Sequence, residues 1–160
     1  MSDSVEWKLY SAAFVNDASE VSSLLRDHPE INVNWTNYEQ WTPLHRASIN
    51  GHVEVVKLLL AHLNIDVNLK NSTGQTPVSL VCGRGQLSVV RELLKDPLVN
   101  VTLEDNDRCT PLWYASRDGR HEVIEWLIAS GRDLGDLRNK KGHWFGNDYN
   151  PRNCNKEEEG

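Results

Sequence analysis

The 160-residue sequence predicts an all-α solenoid, in which helix–turn–helix units stack and are joined by short β-turn arms. The first observation behind this fold class is a period of 34 positions, a spacing typical of stacked repeats. The residues that recur at this period are Thr42, Thr76 and Thr110, each followed by proline; Gly51, Gly85 and Gly119; Val55, Val89 and Val123; and Leu59, Leu93 and Leu127. The second observation is that each period carries the signals for two helices and a turn.

The second period shows how one unit is built. Thr42 and Pro43 begin a helix, because a threonine hydroxyl accepts a backbone N–H there and proline fits the first helical turn. Gly51 ends that helix, since glycine readily adopts the left-handed conformation. Residues 55–60 give a second helix with a broad apolar face. Residues 66–74 then form an extended arm and a turn. A single unit cannot bury its own apolar face, so neighbouring units must stack.

These residues resemble the ankyrin repeat. The resemblance is carried by the block Thr42-Pro43-Leu44-His45-Arg46-Ala47, by the pair Gly51-His52, and by the block from Val55 to Leu60. It extends over roughly residues 6–143, as units at about 6–36, 37–70, 71–104 and 105–138 with a partial fifth from 139. We therefore predict one domain over residues 1–145 and an irregular polar tail over 146–160. The hydrogen-bonding role that the family assigns to the motif histidine is available only to His45, because Ser79 and Trp113 replace it in the next two units.

The two ends of the array differ. In the first unit, Ser22 and Arg26 occupy positions that are apolar in the second unit, as expected of a polar outer cap. In the partial fifth unit, Trp144-Phe145 stands where Thr-Pro is expected. Three explanations stay open: Trp144, Phe145 and Tyr149 fold back as an irregular cap, the chain is a fragment of a longer repeat protein, or the open end binds a partner or a second copy.

Composition excludes several classes of protein. The net charge of −6 disfavours phosphate backbones, so we expect no nucleic-acid partner. Apolar runs are too short to span a membrane, and the first twenty residues contain no hydrophobic signal segment. Three widely spaced cysteines do not form a disulfide framework. We predict a cytoplasmic protein, with the nucleus as the alternative, that is monomeric unless its C-terminal end associates.

The sequence gives no indication of catalysis or of a cofactor. It contains no GxGxxG, GxxxxGK[ST], HExxH or GxSxG motif. His45 and His52 lie at ordinary positions of the repeat motif, which favours structural roles. A zinc site from Cys109, His121, His143 and Cys154 is disfavoured because their spacing is unlike that of metal ligands. Asp105 and Asp107 are expected to stabilise a turn. We therefore predict no metal, no cofactor and no enzyme activity.

The resemblance implies that a partner binds on a concave face formed by the arm tips and the first helix of each unit. The residues that this places on the face are Tyr38, Glu39, Trp41, Arg46, Ile49, Asn50, Thr73, Gln75, Arg84, Asp107, Cys109, Trp113, Tyr114, Arg117, Asp118, Lys140 and Lys141. Their chemistry is uneven: aromatic residues and arginine, which are common in binding hot spots, flank a small polar middle. The alternative is that Trp41 and Trp113 pack between the arms.

The sequence therefore predicts a non-catalytic protein–protein interaction module of the adaptor or inhibitor type. One alternative is a fragment of a longer ankyrin scaffold whose target site lies partly outside this chain. Another is a regulatory subunit or an enzyme with an undetected site.

Overall fold

The computed structural model describes residues 4–135, which form four pairs of helices. The helices are α1 (Val5–Phe14), α2 (Ala18–Asp27), α3 (Pro43–Ile49), α4 (Val53–Leu60), α5 (Pro77–Arg84), α6 (Leu87–Leu93), α7 (Pro111–Arg117) and α8 (His121–Ala129). No strand occurs within this part of the chain. The predicted all-helical solenoid is confirmed.

The helices form two layers. The first helices of the pairs, α1, α3, α5 and α7, pack side by side in chain order, and the second helices, α2, α4, α6 and α8, do the same behind them. The predicted apolar columns lie between the layers: Leu59, Leu93 and Leu127 are fully buried, as are Val55 and Val89. Among residues 4–135, no helix is both long and apolar enough to cross a membrane.

The Thr-Pro pairs begin α3, α5 and α7 as predicted. The hydroxyl oxygens of Thr42, Thr76 and Thr110 each accept a hydrogen bond from the backbone N–H three residues later. In α3 and α5 the side chain at that third position bonds back to the N-cap amide, which completes a capping box. Ser79 therefore completes the same capping box as His45, whereas Trp113 does not.

The recurring glycines lie where the first helix of a unit turns into the second. Gly51 and Gly85 have φ angles of +75° and +74°. A Cβ atom at Gly51 would lie 2.7 Å from Gln86 Oε1, and one at Gly85 would lie 2.7 Å from Arg120 Cδ. The left-handed backbone therefore favours glycine, and the flexible side chains of Gln86 and Arg120 from the following unit pack into the space that it leaves.

The arms repeat one hydrogen-bonding scheme, centred on Asn37, Asn71 and Asp105. The Oδ1 atom of each accepts the backbone N–H groups two and four residues later, at distances between 2.8 and 3.1 Å. Three residues after each of them the backbone is left-handed, with φ of +61° at Gln40, +80° at Gly74 and +59° at Arg108. The turn role predicted for Asp105 is confirmed.

Neighbouring arms are joined to one another. The amide of Ser72 donates to the carbonyl of Glu39 at 3.0 Å, and the amide of Asn106 donates to the carbonyl of Thr73 at 3.1 Å. Below the arms, the side chain of Asn68 donates to the carbonyl of Leu98 and accepts from the amide of Asn100. Asn34 makes the same pair of bonds one unit earlier. The arms therefore stack as one continuous hydrogen-bonded edge.

In the first unit, Ser22 and Arg26 are exposed on α2, as predicted for a polar outer face. The aromatic residues of this unit make a cluster that the sequence did not predict. Trp7 stacks on Tyr10 with ring centroids 5.6 Å apart, and both rings pack against the edge of Trp35.

Candidate protein-binding surface

The predicted partner-binding residues lie on the arms and first helices, a surface called here the arm-side surface. Tyr38, Asn50, Thr73, Arg84 and Asp107 are exposed. Those that are half-buried are Glu39, Trp41, Arg46, Ile49, Gln75, Trp113, Arg117 and Asp118. Cys109 and Tyr114 are buried, while Lys140 and Lys141 lie outside the described residues.

The first cluster on this surface is built around Arg46 of α3. Its guanidinium carbon lies 4.3 Å from the ring centroid of Trp41, 5.7 Å from that of Tyr10 and 5.6 Å from that of Phe14. The Nε atom donates to the hydroxyl of Tyr10, and Nη2 lies 3.8 Å from Glu39 Oε2. A cation held between rings in this way is stabilised by about 0.5–2 kcal/mol per ring. The cluster is therefore rigid, and it presents aromatic edges and an acidic group.

Tyr10 and Phe14 were missed as members of this cluster. They belong to the first unit, which lacks the Thr-Pro motif, and they lie 36 and 32 residues before Arg46. A signal was available, because residues about one period apart on the first helices are neighbours. The residue one period before Arg46 is Ala12, and Tyr10 and Phe14 lie two positions before and after it.

The second cluster consists of Trp113, Tyr114, Arg117 and Asp118 on and just after α7. Arg117 lies 5.3 Å from the ring centroid of Trp113 and 4.9 Å from that of Tyr114. Its Nε and Nη2 atoms donate to the two carboxylate oxygens of Asp118 at 2.7 and 2.8 Å. A paired fork of this kind fixes the guanidinium plane. Both clusters thus hold an arginine against aromatic rings beside a carboxylate.

The side chain of Tyr114, one of the predicted partner-binding residues, is largely buried. Its hydroxyl donates to Asp105 Oδ2 and accepts from Gln75 Nε2 at 2.9 Å, so the ring points inward. Burial, together with the Asp105 carboxylate, raises the pKa of this hydroxyl far above its ordinary value. Tyr114 therefore joins the arm of the third unit to the arm of the fourth.

Cys109, another predicted partner-binding residue, also lies beneath the surface. Its side chain is fully buried, and its amide donates to Asp105 Oδ1 at 2.8 Å. The backbone amides of Trp41 and Gln75 donate the same hydrogen bond at the equivalent position of their arms. The short side chain of Cys109, however, stays beneath the surface. The thiol bonds within the arm, 3.8 Å from the carbonyl oxygen of Asp107.

Between the clusters, α7 packs closely on α5 at Gly83. A Cβ atom there would lie 3.2 Å from Asp118 Oδ2 and 3.5 Å from Tyr114 Cβ, so α7 approaches α5 closely. The side chain of Arg84, the last residue of α5, is exposed and forms no salt bridge within residues 4–135. The segment between the two clusters therefore carries a positive charge.

His45 and His52 have the structural positions predicted for them. His45 is buried and bonds to Thr42 and to the carbonyl of Gln75, and the Nε2 atom of His52 lies 3.1 Å from the carbonyl oxygen of Phe14. In the part of the chain that the structure describes, no group of three or more histidine, cysteine or acidic side chains is placed to hold a metal ion.

Comparison with known proteins agrees with the stacked helix pairs. Two family models, both described as ankyrin repeats, match residues 63–137 and 24–81, and together they span residues 24–137. The chain belongs to the ankyrin-repeat family, whose members are generally protein–protein interaction modules. No curated protein matches the chain.

Proposed function

We propose that this protein is a non-catalytic adaptor or inhibitor that binds a protein partner on its arm-side surface. The observation that carries the proposal is the pair of arginine–aromatic clusters on the first helices, with the exposed Arg84 between them. Tryptophan, tyrosine and arginine are the residue types that most often dominate binding energy. A standard interface of about 800 Å² per partner would extend over both clusters.

The contact set of the proposal is the predicted one without Cys109 and Tyr114. It consists of Tyr38, Glu39, Trp41, Arg46, Ile49, Asn50, Thr73, Gln75, Arg84, Asp107, Trp113, Arg117 and Asp118, with Lys140 and Lys141 outside the described residues. Hydrogen bonds between neighbouring arms support rigid-surface recognition, because a surface that is already ordered loses little entropy on binding. The partner is therefore expected to adapt to this face.

The charges of the surface suggest how a partner is oriented. Arg46 and Arg117 are already matched by Glu39 and Asp118, whereas Arg84 is available to pair with an acidic group. The partner would place apolar side chains on the two clusters and a carboxylate between them. Within residues 4–135, Cys82 is a buried free thiol, which supports a reducing compartment such as the cytoplasm.

Affinity capture from the native lysate, followed by mass spectrometry, tests the proposal. We expect Tyr38→Ala and Arg84→Glu each to reduce capture of the main partner at least tenfold, since both side chains are exposed and neither supports the fold. The matched controls are Leu63→Ala, 99% exposed, and Arg26→Glu on α2, and neither should reduce capture. Equal capture by all four variants would refute the arm-side surface.

Trp41→Ala separates a binding role from a packing role. The ring of Trp41 lies against Arg46 and close to His45, so its removal will lower the melting temperature in either case. A binding role predicts loss of capture at temperatures where the variant is fully folded. A large loss of thermal stability with unchanged capture would end the hot-spot hypothesis.

A further inference from the structure

A cleft lies between the second helices of the third and fourth units. These helices, α6 and α8, are neighbours in the layer behind the first helices. The cleft has a volume of about 410 Å³ and is lined by Leu87, Arg91, Glu122, Glu125, Trp126 and Ala129. A site of this size accepts a few side chains of a partner, not a folded domain. We call it the back cleft.

Trp126 gives the back cleft an aromatic wall. One and two periods earlier, the same position holds Glu92 and Leu58, which are half-buried. Trp126 remains 40% exposed, although the guanidinium carbon of Arg91 lies 4.6 Å from its ring centroid. Tryptophan is the ring that attracts cations most strongly, and its apolar area suits the carbon stem of a lysine or an arginine. The cleft therefore already binds one cation of this chain and exposes further aromatic surface.

The charges of α8 differ from those of the two preceding second helices. In α4, the Nζ atom of Lys57 lies 2.7 Å from Glu54 Oε1, three residues away. In α6, a lysine and a glutamate with the same spacing lie 2.6 Å apart. In α8, two glutamates, Glu122 and Glu125, have this spacing, and neither forms a salt bridge within residues 4–135. The two acidic side chains thus lack the basic neighbour that the other helices provide.

The difference arises at a single repeat position. Lys57 and Arg91 occupy it in the second and third units, whereas Glu125 occupies it in the fourth. Side chains three residues apart on a helix are neighbours, so two carboxylates there repel each other. A positive charge from outside the described chain would relieve this repulsion. The aromatic wall and the exposed carboxylates line the same cleft, and both favour a cation.

We propose that the back cleft binds a basic segment of a second protein. A lysine or arginine side chain of that segment lies with its stem on the exposed part of Trp126 and with its charge between Glu122 and Glu125. Ligands that carry phosphate are repelled by the same two carboxylates. The inference goes beyond the proposed function and does not depend on it, because the back cleft and the arm-side surface belong to different layers of helices. A chain with both sites connects two proteins, as an adaptor does.

Nuclear magnetic resonance on the 160-residue chain tests this proposal. The probe is a dodecapeptide of alternating lysine and alanine, and its control is a dodecapeptide of alternating glutamate and alanine. We expect the lysine peptide to shift the indole N–H resonance of Trp126 saturably and the glutamate peptide to leave it unchanged. Raising the salt concentration from ~50 mM to ~500 mM should weaken binding several-fold, because exposed charges are then screened.

Glu125→Lys is the decisive variant, since it restores the basic residue that the second and third units have at this position. It should weaken binding of the lysine peptide about tenfold without lowering the melting temperature. Trp126→Ala should weaken binding about fivefold. Glu20→Lys, exposed on α2, changes the net charge equally and is the matched control. Its effect should stay within about twofold, because a distant exposed charge is screened.

Three results would overturn the proposal. The first is the absence of a saturable shift of the Trp126 resonance, and the second is equal weakening by Glu20→Lys and Glu125→Lys, which would indicate general attraction to an acidic chain. The third is a solution mass that rises with concentration and that Glu125→Lys returns to the monomer, which would show a second copy in the cleft. Tyr38→Ala and Arg84→Glu should bind the peptide normally, so failure of the arm-side surface and failure of the back cleft are distinguishable.

Discussion

The Nε2 atom of His45 lies 3.1 Å from the carbonyl oxygen of Gln75, which belongs to the next arm. On the other side of the ring, the amide of Thr42 donates to Nδ1 at 3.2 Å, and the Thr42 hydroxyl lies 2.8 Å from the same atom. Because Nδ1 accepts, the ring proton is on Nε2 and is donated to Gln75. A neutral imidazole therefore connects two units, and burial lowers the pKa of His45 from 6.5 to about 4.

The first prediction concerns the pH dependence of stability. Between pH 6.5 and about 4 the unfolded chain binds a proton at His45 and the folded chain does not, so the free energy of unfolding falls as the solution is acidified. The loss amounts to about 3 kcal/mol across this window, because each tenfold difference in proton affinity is worth about 1.4 kcal/mol. Urea unfolding at pH 7.5, 5.5 and 4.5 measures it.

His45→Ser is the control for that prediction, because the third unit already uses Ser79 at this position. This variant should be less stable at pH 7.5, since the carbonyl of Gln75 loses its donor. It should also lose most of the acid dependence between pH 6.5 and 4.5. An unchanged acid slope in His45→Ser would assign the pH dependence to carboxylates.

The second prediction is that Ser48→Ala stabilises the protein. The Oγ atom of Ser48 is buried and has no hydrogen-bond partner among residues 4–135. Removing an unsatisfied buried hydroxyl, and gaining helix propensity, should raise the free energy of unfolding by about 1 kcal/mol. Ser79→Ala is the matched control and should lower it by about 1 kcal/mol, because Ser79 Oγ bonds to both the amide and the carbonyl of Thr76. Denaturant titration measures the free energy of unfolding of both variants. If Ser48→Ala lowered it as much as Ser79→Ala does, the prediction would be wrong.

The third prediction concerns the left-handed residues of the arm turns. Gln40 is exposed and has φ of +61°, so Gln40→Gly should stabilise the protein by about 0.5–1 kcal/mol. Gly74→Ala should have the opposite effect and cost at least about 2 kcal/mol. Its φ is +80°, and the new Cβ atom would lie 2.5 Å from Asn106 Oδ1. Thermal unfolding measures the melting temperature of each variant. Shifts of the same sign in the two melting temperatures would argue against this turn geometry.

The fourth prediction concerns the hydroxyl of Tyr114. Tyr114→Phe leaves Asp105 Oδ2 and Gln75 Nε2 without this partner. We expect it to lower the free energy of unfolding by about 2 kcal/mol, because the acceptor is a largely buried carboxylate. Tyr38→Phe removes a hydroxyl from a side chain that is 92% exposed, and its effect should stay within about 0.5 kcal/mol. Equal effects in the two variants, measured by urea unfolding, would show that the buried network contributes nothing.

The parts of the fold that the sequence predicts are those that every unit repeats. Thr-Pro at the helix start and glycine at the helix end are local signals, and their recurrence every 34 residues places them in three units at once. Leu59, Leu93 and Leu127 are buried because the repeat puts equivalent side chains in equivalent surroundings. Periodicity therefore determines the architecture.

The candidate surface was predictable only in part, because it is made of positions where the units differ. Asp105 illustrates this: Asn37 fills the same position and donates to Tyr10, but a carboxylate can only accept, so it recruits the hydroxyl of Tyr114. No period-based comparison shows that this ring turns inward. The direction of a side chain at a variable position depends on its particular neighbours.

Because each unit contacts mainly its neighbours in the chain, the repeat also determines how the molecule folds. The hydrogen bonds between units described above join residues at most 39 positions apart, the longest being the bond between Gln75 and Tyr114. Low contact order of this kind favours fast folding that begins locally and spreads to adjacent units. Because each unit is supported only by its neighbours, a lesion in the third unit would uncouple the chain on either side of it. Partly folded species, with one half of the array intact, are then the expected consequence.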